Sequence, residues 1–431
     1  MIKVKKPGLV PVLALLVALL ALPACGDQGG GPAGTPGSKT TAPTTAAGQP
    51  TKGATGTTPQ ANKGTQPPGR DMPLVRIGFA FTTSGDNGVY GKSQRQAAEM
   101  AWKEINEAGG INGVKIAAIF EDTAGKPNQA VTAFQKLINT DVVLAVVGPT
   151  LSNEALSSDP EAQKIGCPVL AVSNTAAGIT DMGDFIFRDS LAEFQVIPET
   201  IKQAKAKLGI SKVAILYAKD DAFSKSGYDV FKAELQKNNI QILSEQTFST
   251  TDTDYKAQLT AIKASNPDAI VVSALAKPAQ TILQQARKDV GIDPKIHIIG
   301  GNGFNSPAVL KAAGKAAEGL VVGAAWNSAA SDELNKKFID NYKKTYGAVP
   351  DQFAAQSYAG FYILADAIKR ADLKDLTPKS LKQNRIKVRD ALKATVNLPT
   401  VLGSFSFTDK RDANHPPVVQ IVKDGKFDIL K

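Results

Sequence analysis

Apolar and polar positions alternate along most of the chain with two periods, one of about two residues and one of about 3.6. Short apolar runs at 74–81, 114–120, 142–147 and 168–172 predict strands. Amphipathic stretches at about 93–108, 127–139 and 154–164 lie between them and predict helices. The first of these stops at Gly109-Gly110, and Asn112-Gly113 then predicts a turn. The rhythm restarts after Leu191. Helices at 196–208, 227–238, 255–264 and 279–290 alternate with strands at 213–217, 240–248, 269–272 and 295–299. Helices at 333–346, 353–370 and 380–394 follow, then a pair of strands at 403–408 and 417–422. Short strands alternating with helices need parallel sheets covered on both faces. Two such runs predict an α/β fold of two doubly wound parallel-sheet lobes, and 431 residues suffice for them.

The first 73 residues break this pattern. Lys3, Lys5 and Lys6 precede an apolar run over 9–21 that is short for a membrane span and contains Pro11. Leu22-Pro23-Ala24-Cys25-Gly26 follows and resembles the lipobox of bacterial lipoproteins. That resemblance implies a signal peptide over 1–24, cleavage before Cys25 and a diacylglyceryl group on its sulfur. Residues 26–73 consist mainly of Gly, Pro, Thr, Ala and Ser. Such a stretch cannot bury enough apolar surface to offset its ordering entropy, so 25–73 reads as a lipidated cysteine and a disordered tether. The protein is expected outside the cytoplasm, anchored to a membrane.

Composition narrows the chemistry. Hydrophobic residues make up 43% of the chain and charged residues 21%, the balance of a globular protein. The net charge is +10, but the lysines are scattered and no aromatic-interleaved arginine patch accompanies them. A solvated basic surface is expected and no nucleic-acid partner. The only cysteines are Cys25 and Cys167, and the only histidines His297 and His415. No cluster has metal-ligand spacing, and neither histidine has a nucleophile context. His297 falls in a strand, and His415 precedes Pro416-Pro417 in a turn. Asp220, Asp221, Asp252 and Asp254 read as helix caps and turns. No enzyme, metal or cofactor is expected.

In open α/β sheets, ligands bind beyond the carboxyl ends of the strands, and two facing lobes place such a site in the cleft between them. The loop after the first strand, 82–91, has small hydroxyl residues and Tyr90, without a phosphate-binding glycine pattern. It fits an uncharged or zwitterionic guest, or else a plain turn with Tyr90 in packing. After 142–147 comes Gly148-Pro149-Thr150-Leu151-Ser152-Asn153-Glu154, where Ser152 or Asn153 is expected to cap a helix whose free N–H groups suit a carboxylate. A third hydroxyl-bearing loop, Ser173-Asn174-Thr175, follows 168–172, with Cys167 just before it as a small core residue.

With these loops in place, the chain from about Leu74 onward resembles the branched-chain amino-acid (leucine/isoleucine/valine) binding proteins of the type I periplasmic binding fold. Tyr90-Gly91, the run Asn106 to Gly113, Glu121-Asp122 with Pro127, Val147-Gly148-Pro149, Glu318-Gly319-Leu320 and Leu402-Gly403 before Phe405-Ser406-Phe407-Thr408-Asp409 carry the likeness in order and spacing. It implies that Ser152 donates its hydroxyl to a ligand carboxylate and that Thr175 binds the head group by hydroxyl and backbone. It implies that Ser173 offers its backbone carbonyl to an ammonium, while Tyr90 and Phe223 wall the pocket from opposite lobes. Asn302 stands where amino-acid binders carry a carboxylate near the ammonium. A neutral amide accepts one hydrogen bond without supplying charge, so a carboxylate without an ammonium, an amide or a small neutral solute also fits as a guest. The likeness also implies three crossings between lobes, near Leu191, Ala325 and Phe405. One lobe is then 74–191 with 326–404, and the other 192–325 with 405–431. The implied function is the solute receptor of an ABC uptake system: a monomer that closes on a small amino acid or related solute and docks on a membrane permease. The alternative is a ligand-sensing lipoprotein of the same fold.

Overall fold

The computed structural model describes residues 75–431. The signal peptide, Cys25 and the tether lie outside the described residues.

Sheet one is built from β1 (Val75–Phe81), β2 (Ile116–Asp122), β3 (Ala145–Val147), β4 (Val169–Ala171) and β5 (Ile186–Arg188). All its pairs are parallel, in the order β2-β1-β3-β4-β5. Ile77 lies at the centre, in register with Ala118 on one side and Ala145 on the other, and is fully buried. Its covering helices are α1 (Gly88–Glu107), α2 (Pro127–Gln135) and α3 (Ser152–Ile165).

The chain then passes to the second sheet through residues 189–192. Here α4 (Glu193–Leu208) precedes β6 (Lys212–Ala218), α5 (Ala222–Lys237), β7 (Gln241–Phe248) and α6 (Lys256–Ala264). The run continues with β8 (Ala269–Ser273), α7 (Ala276–Gln284), β9 (His297–Gly300), α8 (Pro307–Ala313) and β10 (Val321–Ala324). β6 to β10 are parallel neighbours in the order β10-β9-β8-β6-β7.

From Ala325 the chain returns to the first lobe. Ala325 and Trp326 share a core with β1 and with α9 (Glu333–Tyr346), α10 (Gln352–Ala371) and α11 (Leu381–Lys393). α10 carries the longest buried stripe of these and packs along α1, placing Phe361 edge-on to Phe79 at 5.1 Å.

The third crossing differs from expectation. A separate three-stranded sheet, β11 (Leu398–Thr400), β12 (Gly403–Phe407) and β13 (Ala413–Asn414), follows α11. Phe405 and Phe407 are buried in the first lobe's core, and Phe407 lies edge-on to Phe187 at 5.2 Å. The chain therefore crosses after Asn414, through His415-Pro416-Pro417, and not near Phe405. Residues 405–414 belong with the first lobe. Only then do β14 (Val418–Lys423) and β15 (Lys426–Ile429) extend the second sheet, both antiparallel. The strands at 403–408 and 417–422, read as a pair from the sequence, lie in different sheets.

Candidate functional site

Every candidate residue sits just beyond the carboxyl end of a parallel strand, which is where open α/β sheets leave backbone groups unpaired. Thr82 follows β1, Gly148 to Ser152 follow β3, and Ser173 to Thr175 follow β4. From the facing lobe, Phe223 follows β6, Leu275 follows β8, and Asn302 and Gly303 follow β9. Tyr90, Ser152, Ser173, Thr175, Phe223 and Asn302 line one cavity, together with Thr150, Leu151, Asn174, Leu275, Gly303 and Phe353.

The local structure explains how they meet. β3 ends in Gly148, whose φ is +119°; a Cβ there would stand 2.3 Å from the Ala80 carbonyl oxygen, so glycine is needed for the loop to pass β1. Helix α3 then begins at Ser152 with Leu151 in the cap position. Neither Ser152 nor Asn153 caps the helix, contrary to the sequence reading. The Glu154 carboxylate turns back and accepts from the Leu151 N–H at 3.0 Å, which satisfies the helix start. The Ser152 hydroxyl oxygen instead accepts from the N–H groups of Thr175 (3.3 Å) and Ala176 (3.2 Å), leaving its own proton for a guest. Asn153 faces the other lobe: its Nδ2 donates to Asp221 Oδ2 at 3.0 Å and its Oδ1 accepts from the Ala222 N–H at 2.9 Å.

The neighbouring hydroxyls form a fixed network. Ser173 Oγ donates to the Thr150 carbonyl at 2.6 Å and accepts from Gln94 Nε2 at 2.7 Å. Thr150 Oγ1 donates to Gln94 Oε1 at 2.7 Å. The Thr175 hydroxyl donates to Glu193 Oε1 at 2.7 Å. Burial pushes the Glu193 carboxyl up to about 7 against the pull of that hydroxyl and of Arg188. Ser173, Thr150, Gln94 and Thr175 make a polar floor supplied by the first lobe, and Glu193 of α4 backs it from the second.

The walls are apolar. Tyr90 and Phe223 lie in the first turns of α1 and α5, which begin earlier than their sequence patterns suggested. Tyr90 packs on Phe353 with ring centroids 4.4 Å apart, and Leu151 and Leu275 complete the enclosure. Tyr90 also donates its hydroxyl across the cleft to the Gly303 carbonyl at 2.6 Å. A Cβ on Gly303 would lie 2.2 Å from the Ala274 carbonyl oxygen of its own lobe and 3.1 Å from the Tyr90 hydroxyl, so glycine is needed for the β9 loop to pack against the end of β8. Asn302 Oδ1 already accepts from Gln352 Nε2 of the first lobe, and from Asn305 Nδ2 at 3.4 Å. The oxygen offered by sequence reasoning to a ligand ammonium is thus turned toward amide donors of the protein.

Sequence reasoning passed over Phe353, Gly303 and Glu193. Phe353 opens a helix far downstream and has no strand before it to mark it. Gly303 adjoins Asn302 and signals itself only as a glycine after a strand. Glu193 opens α4 ahead of the 196–208 stretch that the apolar period marks, so no pattern singled it out. The cavity is about 20 Å³, so the lobes must part for anything larger than water to enter.

Comparison with known proteins agrees with this geometry. The family model described as "Periplasmic binding protein" matches residues 74–426. A leucine-, isoleucine-, valine-, threonine- and alanine-binding protein of Pseudomonas aeruginosa is 27% identical over 340 residues, covering 78% of this chain and 87% of its own length. The leucine-binding protein LivK of Thermotoga maritima superposes with a TM-score of 0.76 at 26% identity, over 82% of this chain and 97% of its own. The branched-chain amino acid transporter substrate-binding protein LivJ of Streptococcus pneumoniae, solved with isoleucine, gives the same TM-score and coverage at 28% identity. Two facing α/β lobes, a cavity between their strand ends and a match across nearly the whole described body together make this chain a member of the periplasmic binding protein family.

Proposed function

We propose that this protein is the solute receptor of an ABC uptake system and that it clamps a small branched-chain amino acid, or a related carboxylate, between its lobes. The observation that carries the reading is the cavity lined by Ser152, Ser173 and Thr175 from one lobe and Phe223 and Asn302 from the other, bridged by the Tyr90 hydroxyl. A polar floor and apolar walls suit a guest with a carboxylate head and a branched aliphatic tail. Relatives named for leucine, isoleucine and valine binding support that guest class.

In this reading the Ser152 hydroxyl proton holds the carboxylate, Thr175 presents its hydroxyl to the head group, Ser173 offers its carbonyl to a head-group donor, and Tyr90, Phe223, Leu275 and Phe353 surround the tail. Asn302 contributes shape and a neutral amide. Closure replaces water in the cleft with hydrogen bonds between lobes: Tyr90 to Gly303, Asn153 to Asp221, and the Ala177 N–H to Ser226 Oγ at 3.0 Å. The closed monomer then presents a surface that a membrane permease recognises. A lipid on Cys25 holds the receptor near that permease, and incorporation of labelled fatty acid that disappears in Cys25→Ala tests this part. For the site itself, isothermal titration with L-leucine, L-isoleucine and L-valine should give one site per chain, lost in Ser152→Ala. Binding of none of these, nor of their 2-oxo counterparts, contradicts the reading.

A further inference from the structure

We propose that Glu193 sets which way the Thr175 hydroxyl proton points, and thereby whether the cavity takes a solute through a carboxylate or through an N–H donor. The inference rests on the cavity being the solute site. It makes Glu193 a positioning residue for specificity, acting through Thr175 rather than on the solute.

The geometry leaves few alternatives for that proton. Thr175 Oγ1 lies 2.7 Å from Glu193 Oε1, both residues are buried, and Thr175 lines the cavity while Glu193 stands behind it. A hydroxyl has one proton and lone pairs on the same oxygen. When Glu193 is ionised, its carboxylate can only accept, so the Thr175 proton is held away from the cavity. The solute then meets a lone pair, which repels a carboxylate and attracts an ammonium or amide N–H. When Glu193 takes a proton from solvent, its own O–H can donate to Thr175 Oγ1. The Thr175 proton is then free to turn into the cavity and donate to a carboxylate.

The surroundings keep both states within reach. Arg188, at the end of β5, is the charge that pulls against burial at the carboxylate, and that charge is shared with Asp412 Oδ1 at 2.6 Å and the Ala176 carbonyl at 2.7 Å. Helix α5 approaches at Gly227, where a Cβ would stand 3.6 Å from Glu193 Oε2. Strand β8 brings Ser273, whose hydroxyl oxygen is 2.4 Å from that same Cβ position and is buried without a partner. Burial thus outweighs the single cation, and the carboxyl sits at about 7. Asn302 works in the same direction, since its oxygen is engaged by Gln352 and supplies no charge for an ammonium.

The test compares L-leucine with 4-methyl-2-oxopentanoate, which share carbon skeleton and carboxylate and differ in the ammonium. Each is titrated calorimetrically into the full-length protein from about pH 6 to about pH 8, in buffers of different ionisation heat. The oxo acid should bind with proton uptake and lose about tenfold in affinity over that range, while the preference for L-leucine rises. Glu193→Gln should flatten the profile and fix the preference. Thr175→Val breaks the link from the other side and should flatten it too, while Thr175→Ser restores it. A preference that does not change with pH in the parent protein, or one that changes equally in Glu193→Gln, overturns the proposal alone. If neither compound binds at any pH, the solute-site reading fails and takes this proposal with it.

Discussion

At the scale of single residues, the site works by hydrogen-bond direction more than by charge. Ser152 shows this most plainly. Its oxygen receives two backbone N–H groups, so Ser152→Ala leaves buried donors unpaired. The substitution should lower stability by about 1–3 kcal/mol as well as abolish solute binding, measurable by urea unfolding of the unliganded protein. Tyr90→Phe is the contrasting case. It keeps the ring against Phe353 and removes only the bond to Gly303, so solute affinity should fall about fivefold with little change in unliganded stability. His415 gives a third prediction. Burial lowers its pKa to about 4, with the Pro416 and Asp189 backbone only partly offsetting the effect. The folded protein then holds fewer protons than the unfolded chain between about pH 6.5 and pH 4, so stability is lost as the pH falls through that window. His415→Gln should flatten this acid limb in a series of denaturant titrations, by up to roughly 3 kcal/mol at the low end.

At the scale of elements, most of the strand–helix order was legible because apolar period and glycine stops act locally. Strands β1, β3 and β8 announce themselves as short apolar runs between turn residues. The family resemblance, and not the apolar pattern, brought in Tyr90 and Phe223, which line the cavity, and their helices start earlier than the apolar period does. The first turns of α1 and α5 face the cleft, where side chains serve the site and the core pattern fades. The third crossing was misplaced for a related reason. Phe405 and Phe407 alternate as any strand would, and only tertiary packing against Phe187 tells which lobe receives them. Arg188 and Asp412 belong to the same level. Arg188, 1% exposed, joins the end of β5 to the loop before β13 and also holds the Ala176 carbonyl beside the binding loop. Arg188→Met leaves the Asp412 carboxylate buried without its cation and should cost about 3–5 kcal/mol, read from thermal unfolding. Adding Asp412→Asn to that variant should recover a large part of the loss, because the uncompensated charge is gone.

At the scale of the whole molecule, three crossings join two lobes whose facing strand ends line the cavity of Ser152, Thr175 and Asn302, and connections of this kind are what hinged two-lobed proteins close about. The bonds between lobes include two to buried carboxylates, Asn153 to Asp221 and Thr175 to Glu193, beside the neutral bond from Tyr90 to Gly303. A guest that bridges Ser152 and Thr175 on one side and the apolar wall on the other adds what closure alone lacks. The most direct test is a thermal-shift titration of the full-length protein with branched-chain amino acids and their 2-oxo counterparts, run beside Ser152→Ala. At about a hundredfold excess over Kd, at least one of these compounds should raise the melting temperature by roughly 3 °C, and the rise should vanish in the variant. A melting temperature unmoved by every compound, or moved equally in Ser152→Ala, would contradict the account.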